Sequence, residues 1–262
     1  MAFKSADQPN CYDMESAVAA RRKRRDMLQL LVAYGLILLA IWIPLPGQEV
    51  VSLVVLAWVL RATWVSFDGW SALGLSRTGF WRSLWVVGAT LLVAVAALIL
   101  ASRLQTLLMP TNPVAFVQRY RGYMIWAFLQ EFLLLSFFLL RFGRLLPGKR
   151  SAVILTVILF AVAHLPNPIL TVLTLFWGWA SCRLFLQYRN IYTLAMAHAI
   201  LGICIAVTIP GSIDHNMRVG LGYFTYRSHQ HPQRSQIDQT VSTTAWVIAD
   251  APTRCCSRQA RP

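Results

Sequence analysis

Seven stretches of almost unbroken apolar residues, parted by short polar or Gly/Pro-rich breaks, organise the chain. They run Met27 to Ile43, Val50 to Val65, Leu84 to Ala101, Gly122 to Leu140, Ser151 to Leu165, Ile169 to Leu186 and Ile191 to Ile209. None alternates with a period of two, so they predict helices rather than barrel strands. Most are roughly 16 to 20 residues long, against the ~20 needed to cross the hydrocarbon core, so the shorter second and fifth must tilt or recruit flanking residues. The pattern predicts an all-α fold: a polytopic transmembrane bundle of about seven helices. An eighth is added if the polar stretch Met217 to Tyr226 returns into the membrane.

The breaks divide the chain further. Residues 1–26 are polar and read as a loose N-terminal segment, 27–210 as the transmembrane domain, and 211–262 as a polar, largely disordered tail. Residues 102–121, with Pro110, Asn112 and Pro113, read as a loop with short helical pieces.

Composition agrees with a membrane protein. Of the 262 residues 57% are hydrophobic and only 13% are charged, where soluble domains carry about 25% charge. The net charge of +14 raises nucleic acid as a partner. The basic residues lie mostly between the apolar runs, however, where positive-inside orientation puts them, and nucleic acid is set aside. The partners expected are the lipid bilayer and a membrane-associated peptide or protein. Arg21 to Arg25 before the first run put the N-terminus in the cytoplasm, in a bacterial cytoplasmic membrane. No small-residue cleavage site follows that run, so it reads as a helix that stays. The five cysteines show no repeated CxxC pair at zinc-site spacing.

Three ionisable groups inside the runs change the picture from architecture to chemistry. Glu131 is the only carboxylate between Asp68 and Asp214, and it lies mid-way along the fourth run. His164 lies near the end of the fifth run and His198 within the seventh. Measured from the basic or polar ends of their runs, all three sit roughly 13 to 20 Å deep at 1.5 Å per residue, so they can share one layer. Ionisable groups at such depth cost several kcal/mol and usually face the bundle interior in pairs. A buried carboxylate suits general acid–base work, and two imidazoles can ligate a metal or stabilise an oxyanion. There is no HExxH, so such a site must be assembled from separate helices.

The residues around these three resemble the CPBP intramembrane proteases (CAAX protease and bacteriocin-processing, or Abi, family), whose pattern is EExxxR, then FxxxH, then a later HxxxN. Phe160-Ala-Val-Ala-His164 matches the second motif, LQEFLLLS around Glu131 looks like the first, and His198 in AHAILG looks like the third. The resemblance covers about 120–205. It implies an intramembrane endopeptidase in which Glu131 activates water. Gln130 would orient or help form an oxyanion site, and His164 and His198 would act as metal ligands or oxyanion donors. A divalent metal, zinc for example, stays open at this point, because Glu131 cannot easily be both ligand and base. Asn167 is a candidate for positioning substrate, with capping of the PNP turn as the simpler role.

Three positions depart from the pattern: Gln130 stands where the family has its first Glu, Leu135 where it has Arg, and Gly202 where it has Asn. They leave room for an inactive scaffold or immunity protein of the same fold. A proton-coupled transporter is a further alternative, since intramembrane Glu and His also serve relays. Against it, the chain shows no internal repeat.

Overall fold

The computed structural model describes residues 11–44, 47–110 and 112–226. Among the described residues it is helical, with no strand. The helices are α1 (Cys11–Trp42), α2 (Gly47–Val65), α3 (Phe80–Arg103), α4 (Pro113–Glu131), α5 (Leu140–Leu145), α6 (Lys149–Val162), α7 (Pro168–Tyr188) and α8 (Tyr192–Thr208), followed by the single turns α9 (Gly211–Asp214) and α10 (Leu221–Phe224). A π-helix, Phe132–Leu139, joins α4 to α5.

Each of the seven apolar runs is thus helical. Five helical stretches are long and apolar enough to cross a membrane, and a sixth if α8 and Gly211–Met217, bent by 108°, count as one broken span. The fifth run is the exception. Its helix α6 has 14 residues, roughly 21 Å at 1.5 Å per residue. Large apolar side chains such as Leu53, Leu92 and Phe176 point outward and are exposed, as lipid-facing residues must be.

Two segments read as loose or looped are helical in part: residues 11–26, with 1–10 outside the described residues, and 113–121, while Leu104 to Pro110 stay non-helical. Residues 11–26 continue α1, because ESAVAARRKRR is rich in Ala, Arg, Lys and Glu, all strong helix formers. Helix α4 starts at Pro113, well before the apolar run. Asn112 caps it by accepting from the Ala115 N–H at 2.7 Å, and Pro113 takes the first helical position. The disordered tail is corrected for 211–226, which form short turns docked on the bundle: the Gly220 N–H donates to the Leu165 carbonyl at 2.9 Å, and Phe224 lies against Trp42. The remainder of that tail, 227–262, lies outside the described residues.

The π-helix sits at the centre of the bundle, packed by α6, α7 and α2. Six consecutive residues, Leu134 to Leu139, are buried there, so no polar face interrupts them. Around them pack Leu30, Val59, Val157, Phe185 and Ala197 from five other helices. Ser136, in the middle, donates to the Leu73 carbonyl at 2.7 Å and ties the α2–α3 linker to this core. Gly74 and Gly79 let that linker press against the end of α7: both have positive φ, and a Cβ at either would strike Phe185 or the Tyr188 carbonyl. Asn190 then donates to the Ser76 carbonyl at 3.0 Å and accepts from the Thr193 N–H, which fixes the start of α8.

Candidate active site

Glu131 is the last residue of α4, immediately before the π-helix. Short π segments often fall at functional sites, where the widened turn re-aims neighbouring side chains. The Glu131 side chain is completely buried. Helix α8 packs along α4 and supplies His198, whose Nδ1 lies 2.8 Å from Glu131 Oε1. Helix α7 supplies Trp177, whose indole N–H donates to the same oxygen at 2.6 Å. The other carboxylate oxygen, Oε2, is buried and accepts from no protein group among the described residues.

This arrangement is asymmetric. Facing an ionised carboxylate, which only accepts, His198 would present an Nδ1–H and keep Nε2 for other work. One oxygen is held by two donors and the other is left with its lone pairs unused. A buried acceptor without a partner costs about 1–3 kcal/mol; Asp26 Oδ1 and Asp214 Oδ2 carry the same cost elsewhere in the fold.

His164 follows α6 and is half-buried, with its Nδ1 2.7 Å from the Phe160 carbonyl four residues back. That bond leaves Nε2 as the free ring nitrogen. The Phe160 ring lies 4.9 Å from the His164 ring and 6.4 Å from the His198 ring, so one aromatic spacer contacts both imidazoles. Phe160 reaches this position because Gly178 on α7 leaves room: a Cβ there would sit 3.1 Å from the Phe160 ring. Small residues at such crossings let membrane helices approach closely.

The remaining candidates fall elsewhere. Gln130 is half-buried, and its side chain makes none of the hydrogen bonds of this cluster. Asn167 is fully buried and caps α7. Its Oδ1 accepts from the Leu170 N–H at 3.1 Å, and its amide donates to the carbonyls of Asp214 at 2.7 Å and Arg218 at 3.2 Å. That side chain is consumed by the fold and holds the docked 211–226 turns against the loop carrying His164.

Two residues escaped the sequence reading. Trp177 looked like one more aromatic in an apolar run, and only the packing of α7 against the π-helix shows what its N–H does. Tyr123 shares a helix face with Ala127 and Glu131 at spacings of four, a signal the sequence carried. Its phenol occupies the space into which a Cβ at Gly202 would project. Gly202, one turn beyond His198, is therefore the residue that admits Tyr123. Leu135 is a completely buried core residue.

Among the described residues no three His, Cys, Asp or Glu side chains come together as a metal-ligand set. Glu131 and His198 touch, but the third group on the carboxylate is an indole N–H, which donates and cannot ligate. A metal here would have only Glu131 Oε2 and the two imidazole Nε2 atoms to bind, and the described residues do not gather them as a ligand set.

Residues 112–204 match the family model described as type II CAAX prenyl endopeptidase Rce1-like. The match bears out the CPBP resemblance. It spans α4 to α8 and contains Glu131, Trp177 and both histidines, while α1 to α3 lie outside it. No curated protein and no solved structure matches the chain. With five to six apolar helices of spanning length, this is an integral membrane protein.

Proposed function

We propose that the protein is an intramembrane endopeptidase that hydrolyses a peptide bond of a membrane-associated or lipidated protein. The observation that carries this reading is the Glu131 carboxylate: sealed in the bundle, held at Oε1 by Trp177 and His198, and bare at Oε2. Fixing one oxygen orients the other, and an oxygen with no hydrogen bond to a protein group is the better proton acceptor. Oε2 takes a proton from water, and the resulting hydroxide attacks the scissile carbonyl carbon. The C–N bond then breaks as the proton passes from the Glu131 carboxyl to the leaving amine. With both Nδ1–H groups already spent, on Glu131 and on the Phe160 carbonyl, His198 and His164 would donate to the oxyanion through Nε2 only as imidazoliums; an oxyanion donor is worth about 10²–10³ in rate. No step is routed through a metal.

The matched family points to a prenylated CAAX-type peptide as the first substrate to try. Membranes containing the protein should cleave it, and Glu131→Ala and His198→Ala should each abolish cleavage. Unchanged processing in both variants would sink the reading. The inactive scaffold keeps one specific support: the pattern's final polar position is Gly202, covered by Tyr123. Normal abundance with no cleavage of any prenylated peptide would favour it.

A further inference from the structure

At the end of the bundle where α1 meets the α2–α3 linker, a groove of about 390 Å³ is lined by Val18, Arg21, Arg22, Arg25, Val65, Ser66, Phe67 and Asp68. Its charge is unbalanced. Asp68 is already engaged twice, by Arg22 at 3.1 Å and by Arg144 at 3.2 Å. Asp26, the neighbouring carboxylate, is held by Arg144 at 2.7 Å. That leaves Arg21 and Arg25 facing the groove with no carboxylate partner among the described residues, and the Arg25 Nε is buried without an acceptor. Three lining residues are apolar and open: Val18, Val65 and Phe67.

A second, independent observation fixes the groove's depth. Phe67 belongs to an aromatic row with Trp64, stacked at 6.4 Å, and Trp70, edge-on at 5.0 Å. All three rings are exposed, Trp64 at 77%. Exposed aromatics of this kind mark the membrane–water interface, the level of the lipid headgroups. A soluble anion would need only the arginines. A cationic floor beside an apolar wall at headgroup depth matches a molecule that is anionic at one end and apolar at the other.

We propose that this groove binds the phosphate of an anionic phospholipid, held by Arg21 and Arg25, with the first part of an acyl chain lying against Val65 and Phe67. The site is separate from the Glu131 cluster and does not depend on the reading of that cluster. Arg144, which closes the groove's acidic edge, stands in α5, directly after the π-helix, so an occupied groove would brace the segment that follows Glu131.

The test uses the full chain in nanodiscs of phosphatidylcholine, with or without phosphatidylglycerol as the probe, read by melting temperature and by lipid retained in native mass spectrometry. Phosphatidylglycerol should raise the melting temperature and be retained selectively. Arg21→Gln, an exposed position that leaves folding intact, should weaken retention about fivefold, and Arg21→Gln with Arg25→Gln about thirtyfold. Lys149→Gln with Arg150→Gln, a basic pair elsewhere in the chain, should leave retention unchanged. Equal loss in that control pair would show a general charge effect and overturn the proposal. So would equal stabilisation by inorganic phosphate alone, or by phosphatidylcholine alone.

Discussion

Among the ionisable side chains that the bundle buries, Arg141 and Glu131 are treated in opposite ways. Arg141 is buried next to the π-helix, and each of its three guanidinium nitrogens donates a hydrogen bond. It donates to Gln29 Oε1 and to the carbonyls of Phe137 and Ala62, each at 3.1 Å, and it lies 3.8 Å over the Phe137 ring. Glu131, at the other end of that π-helix, is buried just as completely, yet both of its bonds fall on one oxygen. Burial of a charge inside a membrane helix does not by itself mark function. A bare buried oxygen does not mark it either, since Asp26 Oδ1 and Asp214 Oδ2 share that state; what sets Glu131 apart is that an imidazole and an indole from two other helices converge on its held oxygen.

Five substitutions test this contrast. The largest effect on folding is expected at Arg141→Met, which strips those bonds and should cost about 3 kcal/mol of stability, measured by unfolding in mild detergent. Enzyme that remains folded should still cleave. Next, Gly202→Asn should cost about 1–3 kcal/mol, because any side chain there meets the Tyr123 phenol. Shortening Tyr123 to Ala in the same chain should recover part of that loss, a coupling that a double-mutant cycle reads directly. Trp177→Phe keeps an aromatic ring, though a smaller one, and removes one of the two donors to Oε1, so kcat should fall about tenfold with a smaller change in melting. Smallest is Gln130→Glu. Because Gln130 stands outside the hydrogen-bonded cluster, cleavage should change by less than about threefold. A large gain from that change would instead mark the present chain as an inactive relative.

Much of this was legible in the sequence, for identifiable reasons. Long apolar runs can only be helices in lipid, so all seven appear. An isolated carboxylate between Asp68 and Asp214 is expensive enough to demand a partner, and His198 is that partner. The helical stretch at 11–26 escaped because hydropathy alone cannot see a helix built from Arg, Lys, Glu and Ala. The π-helix escaped because six consecutive buried residues carry no period of any kind. Trp177 could not be found from spacing, since its role depends on a crossing between α7 and the segment after Glu131. The metal expectation came from counting imidazoles; the fold brings His198 to Glu131 but turns the His164 Nδ1 to its own helix backbone.

On the proposed reading, Glu131 is kept for chemistry at the expense of stability. The most direct test of that reading is Glu131→Gln, with turnover of a prenylated peptide and the melting temperature measured on the same preparation. The amide keeps an oxygen for Trp177 and His198 and removes the charge and the proton acceptor. The account predicts a fall in turnover of about a thousandfold, with a melting temperature equal to or above that of the unaltered protein. Turnover within a few-fold of the original, or a melting temperature that drops together with activity, would contradict it and return Glu131 to the same class as Arg141.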